Sequence, residues 1–336
     1  MSKIIWRILS SIPTLFGVLI ATFLITRVLP GDPAVFFASN PAMSNEDVEK
    51  IRAALGLDKS LVEQFWIYLG ALWQGDLGTS ISTGQPVATE MLTRLPASAE
   101  LTVFAFFLAI AISIPLGVAA ALKPGSWIDQ ICRIVATLGV SIPTFVTGLL
   151  LIYLFYYILG VAPEPTGRLD PFMFKPDTVT GFILIDGPLA GDWETTWAAF
   201  KQILLPGVTM AIFALAPLAR MTRASMLNVL SSEFIRTARA NGLTRRKIVM
   251  SYAFRNAMLP VVTSLGMTFS YMLGANVLVE KVFAWPGIGA YAMDSLLSLD
   301  YAPLQAFMLI MAGIFLTVNL VTDLLAGLVD PRAGLN

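Results

Sequence analysis

The chain has 336 residues, 56% of them hydrophobic and only 13% charged, with a formal net charge of zero and a mean hydropathy of +0.75. It is too apolar for an ordinary soluble domain. One cysteine, Cys132, and no histidine at all exclude an intramolecular disulfide, a multi-cysteine metal site and histidine-based catalysis or ligation.

A membrane span needs about 20 mostly apolar residues to cross roughly 30 Å of hydrocarbon. Six segments qualify: Ile8–Leu29, Leu101–Leu122, Ile134–Gly160, Ile203–Ala219, Ala257–Val279 and Leu304–Val329. The first follows Lys3 and Arg7; its apolar run is longer than a signal peptide's and no A-x-A-like site follows, so an uncleaved span is expected. The expected class is an all-α membrane protein of about six helices. Residues 1–30 form the N-terminus and first span, 31–100 an external helical segment, and 101–336 the membrane core.

Within 31–100, Ser44-Asn45-Glu46-Asp47 resembles a capping box at a helix start. Val48, Ile51, Ala54 and Leu55 then recur at helical spacing, with Gly56 as a left-handed stop. A second amphipathic stretch, Leu61 to Trp73, places Leu61, Phe65, Leu69, Leu72 and Trp73 near one face. That pattern fits a helical cap folded on the bundle, the preferred reading, with an interfacial helix lying along the membrane as the alternative. Thr178–Ala190 is apolar but brief and holds Asp186 and Gly187, which reads as part of a folded external loop, 161–201.

Lys and Arg placement sets the orientation. Lys3, Arg7, Lys123, Arg133, Arg220 and Arg223 fall on one side of six alternating spans, and the acid-rich stretches 40–100 and 161–201 on the other. The excess of basic residues marks the cytoplasm, so both termini are expected there. Pro13, Pro115, Pro143, Pro206, Pro217 and Pro260 fall in or at the ends of spans; they suit a body of kinked helices, though proline is common in membrane helices generally.

The span centres hold almost no ionisable side chains. Asp323 lies toward one end of the last and Arg27 toward one end of the first. Ion-coupled carriers normally keep buried acids or histidines, so a self-powered carrier is disfavoured. Ser141, Thr144, Thr263, Ser270 and Asn276, with Thr147, Ser264, Thr268 and Tyr271, can line a polar path or bridge packed helices. No G-x-x-x-x-G-K-S/T phosphate loop and no G-x-S-x-G elbow occurs, so neither ATP hydrolysis nor any other catalysis by this chain is expected.

The stretch Glu233–Pro260, which overlaps a basic hairpin at 220–256, stands apart. It carries Arg236, Arg239, Arg245, Arg246, Lys247 and Arg255 against the single acid Glu233. Ser231 or Ser232 can cap a short helix whose first turn favours Glu233. Phe234, Ile235 and Ala238 give it an apolar side, Arg236 and Arg239 stay available, and Gly242 can end it. Thr244 can cap a second helix running through Ile248, Val249, Tyr252 and Ala253. On composition alone, the hairpin is either a lever for a partner or a basic loop that fixes topology and touches anionic lipid.

The motifs RTARANG (Arg236–Gly242) and RNAMLP (Arg255–Pro260) resemble the "EAA" coupling-loop motif of ATP-binding-cassette importer permeases, in its dipeptide/oligopeptide variant. Where the general pattern has Glu-Ala-Ala, Arg236-Thr237-Ala238 stand here, and the spacing to Leu259-Pro260 is longer; both departures are similar to the peptide subfamily. RVLPGDPA (Arg27–Ala34), LGLDKS (Leu55–Ser60), GDLGTSI (Gly75–Ile81), ARMTRASMLNVL (Ala219–Leu230), FAWPGIG (Phe283–Gly289) and LVDPR (Leu328–Arg332) resemble the same subfamily. The match is nearest to the first-permease type of the peptide/nickel/glutathione importer family.

This resemblance implies the pore-forming subunit of an ATP-driven importer of dipeptides or oligopeptides in the bacterial inner membrane, with nickel chelates or glutathione as alternative cargo. It implies a second homologous permease, two ATPase subunits that bind the ATP, a periplasmic solute-binding protein and the lipid bilayer as partners. No nucleic acid and no cofactor of the chain's own are implied. The coupling role would fall to Glu233, Arg236, Thr237, Ala238, Arg239, Ala240, Asn241, Gly242 and Leu243. A stand-alone channel or carrier is the competing reading, and an intramembrane enzyme lacks any catalytic set.

Overall fold

A computed structural model describes residues 2–28, 46, 49, 52–53 and 56–329. In chain order the described helices are α1 (Ser2–Val28), α2 (Leu61–Trp73), α3 (Val87–Leu122), α4 (Trp127–Ser141), α5 (Thr144–Ile158), α6 (Ile183–Leu189), α7 (Trp193–Leu230), α8 (Glu233–Ala240), α9 (Arg245–Val282), α10 (Ile288–Leu297) and α11 (Tyr301–Val329). Helix α5 is π-helical over Ile152–Ile158 and α9 over Ile248–Phe254. The Ser44 capping box, all four apolar positions of the repeat that follows it, and parts of the RVLPGDPA, LGLDKS and LVDPR blocks lie outside the described residues.

Helices α3, α7, α9 and α11 are each long and apolar enough to cross a bilayer, and α1 holds a shorter apolar stretch, Pro13–Arg27. The expected single span Ile134–Gly160 is instead two helices, α4 and α5, bent by 108°. Pro143 has no N–H to continue the ladder and pushes the preceding Ile142 to extended backbone (φ −107°, ψ 127°). The expected start of the second span at Leu101 falls inside α3, which runs unbroken from Val87.

The chain divides into two compact units, Met1–Ser98 with Pro286–Ile314, and Ala99–Trp285 with Phe315–Asn336. In the first unit, Val87, Met91, Ile288, Tyr291 and Ala306 are buried together. Buried Asp300 accepts hydrogen bonds from the Ser80 hydroxyl (2.6 Å) and from the N–H and hydroxyl of Ser82 (3.1 and 3.0 Å). Helix α2 opens on a capping box that the sequence reading missed, Ser60 with Glu63. It packs on α1 through Phe65, edge-on to Phe16 and Phe23, and Tyr68, stacked on Phe23. The expected face is corrected in part: Leu61 and Trp73 are exposed, as are Val62, Trp66 and Ile67, because the ring contacts to α1 set the rotation.

In the second unit α7 is the central post, approached closely wherever a glycine leaves room. A Cβ added at Gly117 would lie 2.9 Å from the Ala219 carbonyl oxygen and 2.7 Å from the Thr222 Cβ. One at Gly139 would lie 2.8 Å from the Ile212 carbonyl oxygen. Such contacts let backbones meet without intervening side chains. Gly117→Val is expected to cost about 1–3 kcal/mol by overpacking, read as a lower thermal midpoint in detergent; an unchanged midpoint would refute the close packing.

Between α5 and α7 the chain is tied down by two acids. Glu100, buried on α3, accepts from the Leu184 N–H (2.9 Å) and pairs with Arg168, whose guanidinium also donates to the Gly181 carbonyl (2.6 Å). Asp186 on α6 accepts from the Thr180 N–H and hydroxyl and the Gly181 N–H, each at 2.8 Å. Burial pushes the Asp186 carboxyl up, but those hydrogen bonds outweigh it and hold it below the ordinary carboxylate range. A depressed carboxyl adds stability that is complete above its unfolded pKa and lost as pH falls through its folded one. Protease cleavage in 170–181 is therefore expected to accelerate below about pH 4 in the native chain, with Asp186→Asn fast at neutral pH; a pH-independent rate would refute it.

Candidate functional site

Helix α8 carries two exposed arginines, Arg236 and Arg239. Ser232 takes the N-cap backbone conformation (φ −72°, ψ 153°), but its hydroxyl donates backward to the Val229 carbonyl (2.6 Å) rather than capping. The expected serine cap is corrected accordingly; the turn that reverses α7 takes the hydroxyl first. Thr244 likewise holds the N-cap conformation before α9 without a side-chain cap bond.

The other end follows the sequence rule closely. Gly242 has φ +74°, its N–H donates to the Arg239 carbonyl (3.0 Å), and the Leu243 N–H reaches back to Ala238 (3.2 Å). These two bonds together are the Schellman termination, which needs a left-handed residue where Gly242 stands.

Ile235 and Ala238 are the buried face of α8. They pack with Ala121 of α3, Met226 of α7 and Ile248, Val249, Ala253 and Ala257 of α9, while Leu243 adds the apolar contact usual at this kind of helix end. The helix is thus seated on the ends of three long helices. Arg236 and Arg239 point to the open side. Arg236 is 81% exposed and reaches Glu233, itself 85% exposed, at 3.3 Å; a pair this open contributes little and leaves the guanidinium available. Phe234 is 44% exposed, so it belongs to the outward surface and not to the apolar seat expected for it. Thr237, Ala240, Asn241 and Gly242 are exposed as well.

Beside α8 lies a groove of about 610 Å³, with Arg239 and Arg245 at its polar edge and Leu122, Leu227, Leu230 and Val249 among its apolar walls. An apolar slot rimmed by cations has the chemistry to complement an acidic, partly apolar protein surface.

The five residues expected along a polar path are not gathered on one surface. Ser141 and Thr263 are exposed, Thr144 and Ser270 half-buried, and Asn276 buried. The hydroxyls of Ser141, Thr263 and Ser270 donate to carbonyls of their own helices, Thr137, Leu259 and Gly266. Asn276 donates to Glu280 (2.7 Å), which is fully buried. Glu280 lies one residue beyond the fifth expected span, and its four-residue spacing from Asn276 is the sequence signal that points to it. In the sequence Arg223 falls in the basic hairpin, whereas in the structure it binds Asp129 of α4 in two-point fashion (2.5 and 3.1 Å).

Comparison with known proteins bears on this arrangement. A family model described as the binding-protein-dependent transport system inner membrane component matches residues 113–334, and a model of its membrane component's N-terminal part matches residues 1–102. The chain is 44% identical to the probable D,D-dipeptide transport system permease protein of Escherichia coli strain K12, over 95% of this chain and 93% of that one. It is 40% identical to the dipeptide transport system permease protein of the same strain, over 96% and 95%. It is 37% identical to the glutathione transport system permease protein of Escherichia coli O6:H1, over 98% of each.

Proposed function

The chain belongs to the family of binding-protein-dependent transport system inner membrane components, the permeases of ATP-binding-cassette importers, and on that premise we propose that it carries dipeptides or short oligopeptides across the bacterial inner membrane. Relatives at 44% and 40% identity, named as dipeptide permeases, support that cargo; the glutathione permease at 37% supports glutathione, itself a small peptide, as the second reading.

The single observation that carries the mechanism is α8: a capped eight-residue helix, apolar side seated on α3, α7 and α9 and cations outward. A rigid helix so seated passes a push into the long helices, where a loose loop would absorb it. In this reading an ATPase subunit grips Arg236, Arg239 and Phe234, with a second homologous permease offering its own lever to a second ATPase. The ATPases bind the ATP, a binding protein delivers cargo on the far side, and both termini lie in the cytoplasm. Closure of the ATPase pair moves α8, and the span cavity changes the side to which it opens. Thr263 and Ser270 on α9 and Ser141 and Thr144 at the α4–α5 bend are the polar groups assigned to the path; buried Asn276 would join it only when α9 turns.

The test is reconstitution of the complete transporter in vesicles with labelled dipeptide, glutathione or nickel chelate. Charge reversal at Arg236 and Arg239 together is expected to reduce uptake at least about tenfold, the scale on which buried-interface charges act, while membrane insertion is unchanged. Undiminished uptake by the reversed variant, or transport by the chain alone without ATPase subunits, would reject the reading.

A further inference from the structure

We infer that the Asp129–Arg223 ion pair is the joint through which movement of α8 reaches α4, so that both are positioning residues for transport. Arg223 lies on α7 one turn before Met226, and Met226 is part of the seat of Ile235 and Ala238. Asp129 lies in the first turn of α4 and its side chain is fully buried. One carboxylate oxygen accepts from the Arg223 Nε at 2.5 Å and the other from Nη2 at 3.1 Å. The second oxygen also accepts from Arg133 (3.0 Å) and from the Gly125 N–H (2.9 Å). One carboxylate therefore holds the α3–α4 turn, α4 and α7 together.

The packing around it points the same way. Ala120, Cys132 and Ala219 bury a small cluster at the meeting of α3, α4 and α7, and farther along, Gly139 of α4 rests against the α7 backbone at Ile212. Small residues bring helices close but resist sliding weakly, because nothing interlocks. A two-point Arg–carboxylate fork on a buried carboxylate fixes both distance and rotation, which a point-charge lysine cannot do. A displacement of α8 then carries α7 and α4 as one piece toward the bend at Ile142–Pro143.

This inference rests on the reading of α8 as the ATPase lever, and the experiment separates the two. Asp129→Asn, Arg223→Lys and the double variant Asp129→Asn/Arg223→Gln are assembled with the partner permease, ATPases and binding protein in vesicles, with Arg239→Glu in parallel. ATP hydrolysis in the three joint variants is expected within about twofold of the native complex, while peptide imported per ATP falls about tenfold, within the range of ordinary coupling energies. The double variant should lose no more than the worse single one, as for two halves of one interaction. Unchanged import per ATP, uptake and hydrolysis falling in proportion, or failure of all three variants to assemble would each overturn the joint, the last by reducing the pair to a folding contact. If Arg239→Glu also imports normally, the lever reading fails with it; if Arg239→Glu alone uncouples, only the joint is lost.

Discussion

Replacing Gly242 with isoleucine is expected to abolish most ATP-driven uptake, by about tenfold or more, while the chain still inserts and binds its partner permease. The cause is backbone conformation and not space: a Cβ at Gly242 would meet nothing within 4 Å, but φ is +74°. An L-residue held left-handed costs about 1–2 kcal/mol, and a β-branched one is a strained outlier there. Relief comes from breaking the bonds from Gly242 to Arg239 and from Leu243 to Ala238, which frays the half of α8 that carries Arg239. The ranking is diagnostic. Gly242→Asn should retain most uptake, because asparagine visits this region; alanine should be intermediate and isoleucine worst. Equal uptake for all three, measured in the same vesicles with hydrolysis followed in parallel, would refute the dependence on this helix end.

Arg168→Ala is expected to be strongly destabilising, costing about 3–5 kcal/mol because it orphans a buried charge. The side chains of Arg168 and Glu100 are 8% and 5% exposed, so removal of the guanidinium leaves a carboxylate with only the Leu184 N–H to answer it. Glu100→Ala should be nearly as harmful, since it strands the guanidinium. The apolar double replacement, Glu100→Leu with Arg168→Met, should melt above either single variant, because it removes both charges together. Thermal unfolding of the four proteins in one detergent decides the matter, and a double variant less stable than both singles would contradict it.

What the sequence made legible follows the range of the interaction. Hydropathy located the long helices but not their ends. Helix α7 runs past Ile203 and Ala219 in both directions through polar residues such as Lys201, Arg220 and Arg223, because apolar content tracks the hydrocarbon and hydrogen bonding tracks the helix. Local rules worked in part: Gly242 ended α8 and Leu61–Trp73 formed one helix, whereas Ser232 and Thr244 stood at helix starts without making the side-chain cap bonds expected of them. Pro143 carried a break that composition alone smoothed over.

The pairs that hold the second unit together were out of reach. Glu100 finds Arg168 and Asp129 finds Arg223 across 68 and 94 residues, and nothing in the neighbourhood of either acid announces its partner. The same limit explains Phe234. On a helix so short, one rotation of the apolar face decides what is outside, and that rotation is set by packing on other helices, at Ala121 of α3 and Met226 of α7.

The bend at Ile142–Pro143 also determines where water must go. A helix that stops at Ser141 leaves its last carbonyls without amide donors, and Pro143 cannot supply the one its position would otherwise offer. Hydrocarbon chains cannot satisfy those oxygens, so acyl tails are barred from the inner side of the elbow and solvent or protein has to occupy it. One imino acid thereby dictates that the elbow be filled by a hydrogen-bonding group, whether solvent or protein.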